Sequence, residues 1–214
     1  MGTLFRVVVH GDDAAAAQQA MDAAFVRGRE LDARLSDYRP DSEINRLTNG
    51  RVSDDLWTVL SAAQRIARES NGAFDVTLGP VVRLWREARR TRRLPSEAER
   101  TRARAQSGWQ RVRLDEAART VAIDPGTRFD FGGIAKGYAA DEMLAVLRER
   151  GFPRSLVAAG GDIAVGDAPP GQPGWRIKPD WTNEQLTLKN CAVSTSGDSE
   201  QWVEMGGERY SHIV

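Results

Sequence analysis

Apolar and polar positions alternate at the start of the chain, with Phe5, Val7 and Val9 on one side, and this period of two predicts a short strand. Asp12 or Asp13 then caps a long helix, since a short carboxylate placed before an apolar periodic run accepts from the helix's free N–H groups. Met21, Ala24, Phe25, Leu31 and Leu35 recur at roughly helical spacing and give that helix one apolar side. Residues 36–40 break it. A second helix is predicted from Ser53, carrying Leu56, Val59, Leu60, Ala63, Ile66 and Ala67 on one face and stopping at Asn71-Gly72. Pro95, Ser96 and Glu99 open a further helix with the spacing of a capping box. Residues 109–114 and 120–123 read as strands joined by a polar turn, and residues 134–150 as a helix closed by Gly151.

Beyond Ser155 the pattern changes to short β runs divided by glycine and proline, at 156–159, 163–165, 175–177, 186–188, 193–195 and 201–204. Gly161-Asp162 and Gly206-Gly207 suit tight turns. With no linker, low-complexity tract or internal repeat, the expected architecture is one compact α+β domain over residues 1–214.

Composition narrows the function classes. The 214 residues, 41% hydrophobic, suffice for a sizeable core, in one domain or two closely fused halves. Lys plus Arg and Asp plus Glu number 30 each, which excludes a whole-chain field that would steer nucleic acid or an anionic membrane. Residues 83–93 hold six arginines, but Glu87, Glu97 and Glu99 lie among and just after them, so a solvated helical face is expected rather than a nucleic-acid patch. No apolar run approaches the roughly 20 residues that span a bilayer, and no basic region leads into an apolar stretch at the N-terminus. A cytoplasmic chain is expected as written. Both ends nevertheless look cut, so a lost leader, with a periplasmic or membrane-anchored protein, is the alternative. Cys191 is the only cysteine, which excludes an internal disulfide and a cysteine zinc cluster; it reads as a buried small apolar residue.

Five polar, glycine-marked stretches are hard to explain by packing alone: Ser36-Asp37-Tyr38, Gly72-Ala73-Phe74-Asp75, residues 130–137, Gly160-Gly161-Asp162, and residues 194–198 with the later Ser211-His212. The third is the sharpest. Glycines before a helix leave backbone N–H groups free, and a helix N-terminus favours negative charge, so a phosphate can sit there with Lys136 beside it. The order of residues is neither a P-loop nor a Rossmann fingerprint, and a glycine-rich turn packed against a strand is the other reading.

Taken together, these stretches resemble the ApbE family of FAD:protein FMN transferases. Met1-Gly2-Thr3 is similar to the family's opening, Leu35-Ser36-Asp37-Tyr38 and Asp41-Ser42-Glu43-Ile44-Asn45 to its L-S-x-Y and S-E-I blocks. Ala73-Phe74-Asp75 with Gly79-Pro80 and Leu84-Trp85 resembles its F-D-x-T-x-G-P-L-x-x-L-W, and residues 130–140 its D-F-G-G-I-A-K-G-Y-A-A. Gly160-Gly161-Asp162-Ile163, residues 194–198 and Arg209-Tyr210-Ser211-His212-Ile213 match the G-G-D-I, S-T-S-G-D and R-Y-S-H-I elements.

The resemblance implies an α+β fold with a mixed, largely antiparallel sheet and flanking helices. It further implies that Met1, Tyr38, Ala73, Phe74, Asp75, Asp130, Lys136 and Ile213 contact FAD and that Gly133 gives a carbonyl to Mg²⁺. His212 is the implied base, a role suited to a side chain that is largely neutral near neutral pH. The resemblance also implies an acceptor, a Thr or Ser hydroxyl on a subunit of an electron-transfer complex, which would attack the FMN-side phosphorus as AMP leaves. Read without the family, Tyr38 can pack beside Pro40, Phe74 can be core, Asp162 can form a turn, and His10 reads as a surface or capping residue. Two other functions stay open: a Mg²⁺-dependent FAD pyrophosphatase giving FMN and AMP, and a non-catalytic FAD-binding protein. The family's D-P-x-T-G and later Asp/Thr block, which supply side-chain metal ligands, are not among the 214 residues. The expectation is therefore a chain that binds FAD and transfers poorly.

Overall fold

A computed structural model describes residues 1–179, 182, 184–196, 202–205 and 208–211. The first part of the chain forms β1 (Phe5–Val9), α1 (Ala14–Leu35), β2 (Gly50–Arg51), α2 (Asp54–Glu69), α3 (Gly79–Thr91) and α4 (Glu97–Ala105). Then follow β3 (Val112–Asp115), β4 (Thr120–Ile123), α5 (Ala135–Glu149), β5 (Ser155–Ala159) and β6 (Asp162–Val165). The last described elements are β7 (Trp175–Ile177), β8 (Leu186–Leu188), β9 (Cys191–Ser194), β10 (Trp202–Met205) and β11 (Glu208–Ser211). Every described strand pair is antiparallel, so the class is α+β as the sequence predicts.

The chain divides into two units, the first made of residues 1–33 and 134–196. Its sheet has the order β1-β5-β6-β9, and the side-chain alternation of β5 gives each face a core. Val157 and Ala159 meet Ala20 and Ala24 of α1 and Met143, Leu144 and Leu147 of α5, all buried. Leu156 points the other way, to Val165 and Trp175 and the β7–β8 hairpin. Gly28 lets α1 approach α5, since a Cβ there would lie 3.0 Å from the Met143 sulfur. Asp13 caps α1 by accepting from the Ala16 amide at 2.9 Å. Gly160 takes φ +63° and with Gly161 makes the two-residue turn that pairs Ala159 with Asp162. Cys191 is exposed, against the sequence expectation, because β9 is the last strand of this sheet and pairs with β6 alone.

The second unit comprises residues 34–133 and 197–214. Ser53 caps α2 by accepting from Leu56 N, and the helix buries Leu56, Val59, Leu60, Ala63 and Ala67 along the face its spacing announces. Its stop uses Asn71 and Gly72 at positive φ, with the Gly72 amide returning to the Ala67 carbonyl at 2.8 Å. The capping box of Ser96 and Glu99 starts α4. β2, β4 and β3 form a small sheet in that order, and β10 pairs with β11. The strand expected from residue 109 begins only at Val112: Gly108 at φ +137° turns residues Trp109–Arg111 into a 3₁₀ turn, held by Gln64 Nε2 donating to the Trp109 carbonyl at 3.0 Å. The expected turn at Gly206-Gly207 lies outside the described residues. No helix among the described residues is long and apolar enough to cross a membrane.

Candidate functional site

In the second unit, α1 ends at Leu35 and the chain enters a loop at Ser36-Asp37-Tyr38. The loop's shape is fixed by Asn45, whose side-chain amide donates to the carbonyls of Asp37 (2.9 Å) and Arg39 (2.8 Å). Glu43 anchors the neighbouring segment by accepting from the Ser53 amide (2.7 Å) and hydroxyl (2.6 Å). The Ser-Glu-Ile-Asn block is thus the scaffold on which Tyr38 is presented, and Tyr38 is 57% exposed.

Arg86 on α3 organises the group. It donates to the carboxylate of Asp37 and, through its other terminal nitrogen, to Asp130 at 2.8 Å, while its guanidinium lies 4.2 Å from the centre of the Tyr38 ring. The side chains of Asp37 and Asp130 keep only 9% and 13% of their exposure. Burial opposes the charge on Arg86, but the hydrogen bond and field of Asp37, with Asp130 adding to them, outweigh it and raise the guanidinium pKa above its ordinary value.

Asp130 is further oriented by its own loop. Its amide donates to the Val76 carbonyl at 2.9 Å, and its carboxylate accepts the Gly132 amide at 2.8 Å. A Cβ at Gly132 would sit 2.8 Å from that carboxylate oxygen and would push it from its place. Gly133 is exposed, and a Cβ there would come 3.1 Å from the Phe74 ring. Half-buried Phe74 is thereby placed beside the glycine loop, its amide bonded to Ser70 Oγ at 3.1 Å. Asp75 accepts from the Thr77 amide and hydroxyl, both at 2.7 Å, and the fully buried Thr77 hydroxyl in turn accepts the Gly108 amide at 2.7 Å. The donors that Asp75 and Asp130 require are therefore supplied within the chain. Ala73 is exposed at the head of this turn.

In the first unit, Lys136 lies in the first turn of α5, whose N-terminus has no side-chain cap. Its ammonium is 3.3 Å from Asp162 Oδ2, and Asp162 Oδ1 accepts the Ser194 hydroxyl at 2.5 Å across the β6–β9 pair. Asp162 is not the turn former that its glycine neighbours suggest: Gly160 and Gly161 make the turn, and its carboxylate joins Lys136 and Ser194 instead. Met1 is half-buried in this unit. His10 is exposed with its ring 5.4 Å from that of Trp175, as a surface residue. His212, Ile213 and Asp198 lie outside the described residues.

The structure thus joins Tyr38 and Asp130 through Arg86 and sets Phe74 beside Gly133, while Asp75 is bonded to Thr77, all within the second unit. Sequence reasoning marks Asp37 only within the Ser36-Asp37-Tyr38 stretch and misses Arg86, which joins it to Asp130; the arginine follows the Leu84-Trp85 motif directly, but nothing local distinguishes it from its neighbours. Among the described residues no three His, Cys, Asp or Glu side chains converge to hold a metal.

Comparison with known proteins gives one answer. The ApbE family model matches residues 1–214. The chain is 31% identical to the FAD:protein FMN transferase of Salmonella typhimurium, over 100% of this chain and 66% of that protein. It is 29% identical to the protein of the same name from Haemophilus influenzae, over 100% of this chain and 68% of that one. It therefore spans about two thirds of the length of these curated relatives. Among solved structures, the ApbE protein of Thermotoga maritima superposes with a TM-score of 0.87 at 29% identity, covering 100% of this chain and 73% of that one. The flavin transferase ApbE of Vibrio cholerae gives a TM-score of 0.80 at 29% identity with the same coverage of 100% and 73%.

Proposed function

The chain belongs to the ApbE family, and we propose on that basis that it binds FAD and moves the FMN half onto a Thr or Ser hydroxyl of an acceptor protein, releasing AMP. The observation that supports this reading best is the framework around Arg86, where blocks far apart in sequence meet on one polar surface beside the aromatic ring of Tyr38. In this reading Tyr38, Ala73, Phe74, Asp75 and Asp130 contact FAD, as do Met1 and Ile213. Lys136 supplies a cation for a phosphate oxygen, a task suited to an ammonium at an uncapped helix start.

The acceptor oxygen attacks the FMN-side phosphorus, its proton passes to His212, and the bond to the AMP oxygen breaks with its electron pair leaving on AMP. The residues contribute positioning and charge balance, the terms that dominate phosphoryl transfer. The acceptor is an electron-transfer subunit in this proposal. Mg²⁺ enters it on the resemblance alone: Gly133 offers a single carbonyl, and with no acidic cluster among the described residues this donor set does not by itself fit the ion.

The test is incubation with FAD, Mg²⁺ and an acceptor subunit, read by covalent flavin fluorescence on a denaturing gel together with AMP release. Labelled acceptor and AMP in equal amounts support transfer. AMP without label marks a pyrophosphatase, and bound FAD without AMP marks a binding protein; either result overturns the proposal.

A further inference from the structure

Helices α3 and α4 and the loop before Phe129 enclose an open groove of about 580 Å³ in the second unit, lined by Arg83, Arg102 and Arg128 over Pro80, Leu84 and Ala103. The side chains of these three exposed arginines make no hydrogen bond or ion pair with any described residue. That sets them apart from Arg90 and Arg93, which reach Glu87 and Glu99. Glu99 also lines the groove, but its carboxylate is taken by Arg93 at 2.7 and 3.0 Å and by the Ser96 cap. The groove therefore presents uncompensated guanidinium groups around an apolar floor.

Its position within the unit is informative. Arg83 stands one helical turn before Arg86, the residue that holds Asp37 and Asp130. Arg128 is exposed and lies two residues before the sheltered Asp130, with buried Phe129 between them. The groove thus runs beside the framework assigned to FAD. Guanidinium forks match carboxylates in pairs, and three of them without partners favour a ligand carrying several carboxylates. An apolar floor adds contact for a peptide.

We propose that this groove binds an acidic segment of the acceptor protein and so presents the acceptor hydroxyl to FAD; the inference rests on the transferase reading. The measurement is fluorescence anisotropy of labelled peptides at low salt with the full chain. One peptide carries a threonine flanked by glutamates, a second carries glutamines in their place, and a single-stranded thymidine oligonucleotide serves as a third probe.

The glutamate peptide should bind about ten-fold more tightly than the glutamine peptide, the order expected for charge-assisted pairing, and the difference should shrink as salt rises. The combined variant Arg83→Gln, Arg102→Gln, Arg128→Gln should lose that preference while keeping the wild-type thermal midpoint and FAD affinity. Equal affinity for the two peptides overturns the proposal, as does an undiminished preference in the variant or tighter binding of the oligonucleotide than of the glutamate peptide. FAD titration is read separately. A chain that keeps the peptide preference but takes up no FAD supports the groove as an acidic-segment site and removes the transferase reading, whereas uptake of FAD without the preference removes the groove alone.

Discussion

Two arginines one turn apart on α3 have opposite surroundings. Arg86 is bonded to two carboxylates and covered by the Tyr38 ring, whereas Arg83 stands exposed in a groove with no described partner. A guanidinium that is desolvated and compensated adds order to the loops it joins, because removing it strands two half-sheltered carboxylates. An exposed guanidinium adds almost nothing to the fold and remains free to meet a ligand. The same residue type thus serves construction in one place and is left open to a ligand in the other, and the difference lies in partners that sequence neighbours do not reveal.

The largest effect should come from breaking the paired member. Arg86→Ala is expected to destabilise the chain by about 2–4 kcal/mol, since Asp37 and Asp130 would keep their burial and lose their cation. Arg83→Ala should stay within about 0.5 kcal/mol of wild type. Urea unfolding compares them directly, and equal midpoints would dissolve the contrast. Next in size is Thr77→Val, which keeps the shape of a fully buried side chain but removes the hydroxyl between Asp75 and the Gly108 amide. A loss of about 1–3 kcal/mol is expected from the unpaired amide. An unchanged urea midpoint would mean that this hydroxyl does not fix the Asp75 turn.

Lys136 is an intermediate case, a cation paired with Asp162 at 3.3 Å whose side chain is 29% exposed. Lys136→Ala should weaken FAD binding about ten-fold at low salt, with a smaller loss at high salt, if it meets a phosphate as proposed. Isothermal titration at two ionic strengths decides it, and affinity that ignores both the substitution and the salt assigns Lys136 to its contacts within the chain.

The smallest effect belongs to Glu99, which Arg93 first, and then the Ser96 cap, hold at a pKa of about 2, below its ordinary 4.5. Because the folded value is the lower one, the carboxylate stabilises the start of α4 above about pH 4.5, and that contribution falls away as the pH drops toward about 2. The thermal midpoint of Glu99→Gln should therefore lie slightly below wild type at pH 6 and converge with it at pH 2. Parallel profiles would place the cap's strength elsewhere.

Features written in local spacing were legible in advance: the alternation of β1, the apolar face and Ser53 cap of α2, the capping box of α4, and the glycine stop at Gly72. Each depends on residues within a few positions of one another. The site was legible as a set of blocks but not as an arrangement, because Arg86 meets Asp37 and Asp130 across 49 and 44 positions. The same limit explains Asp162, whose partners Lys136 and Ser194 come from α5 and β9. At residues 109–111 the apolar pattern was strand-like, but the Gly108 backbone and the bond from Gln64 decided otherwise.

The position of Cys191 on the last strand of its sheet has a practical side. With no other cysteine in the sequence and this one exposed, the chain carries one addressable thiol, fixed to the first unit. A maleimide dye attached there, chosen to emit where flavin absorbs, would turn FAD uptake into a loss of donor emission and give a distance from β9 to the isoalloxazine ring without any engineered residue. The same thiol makes the chain prone to covalent pairing in air, so reductant belongs in every binding buffer until the dye is on.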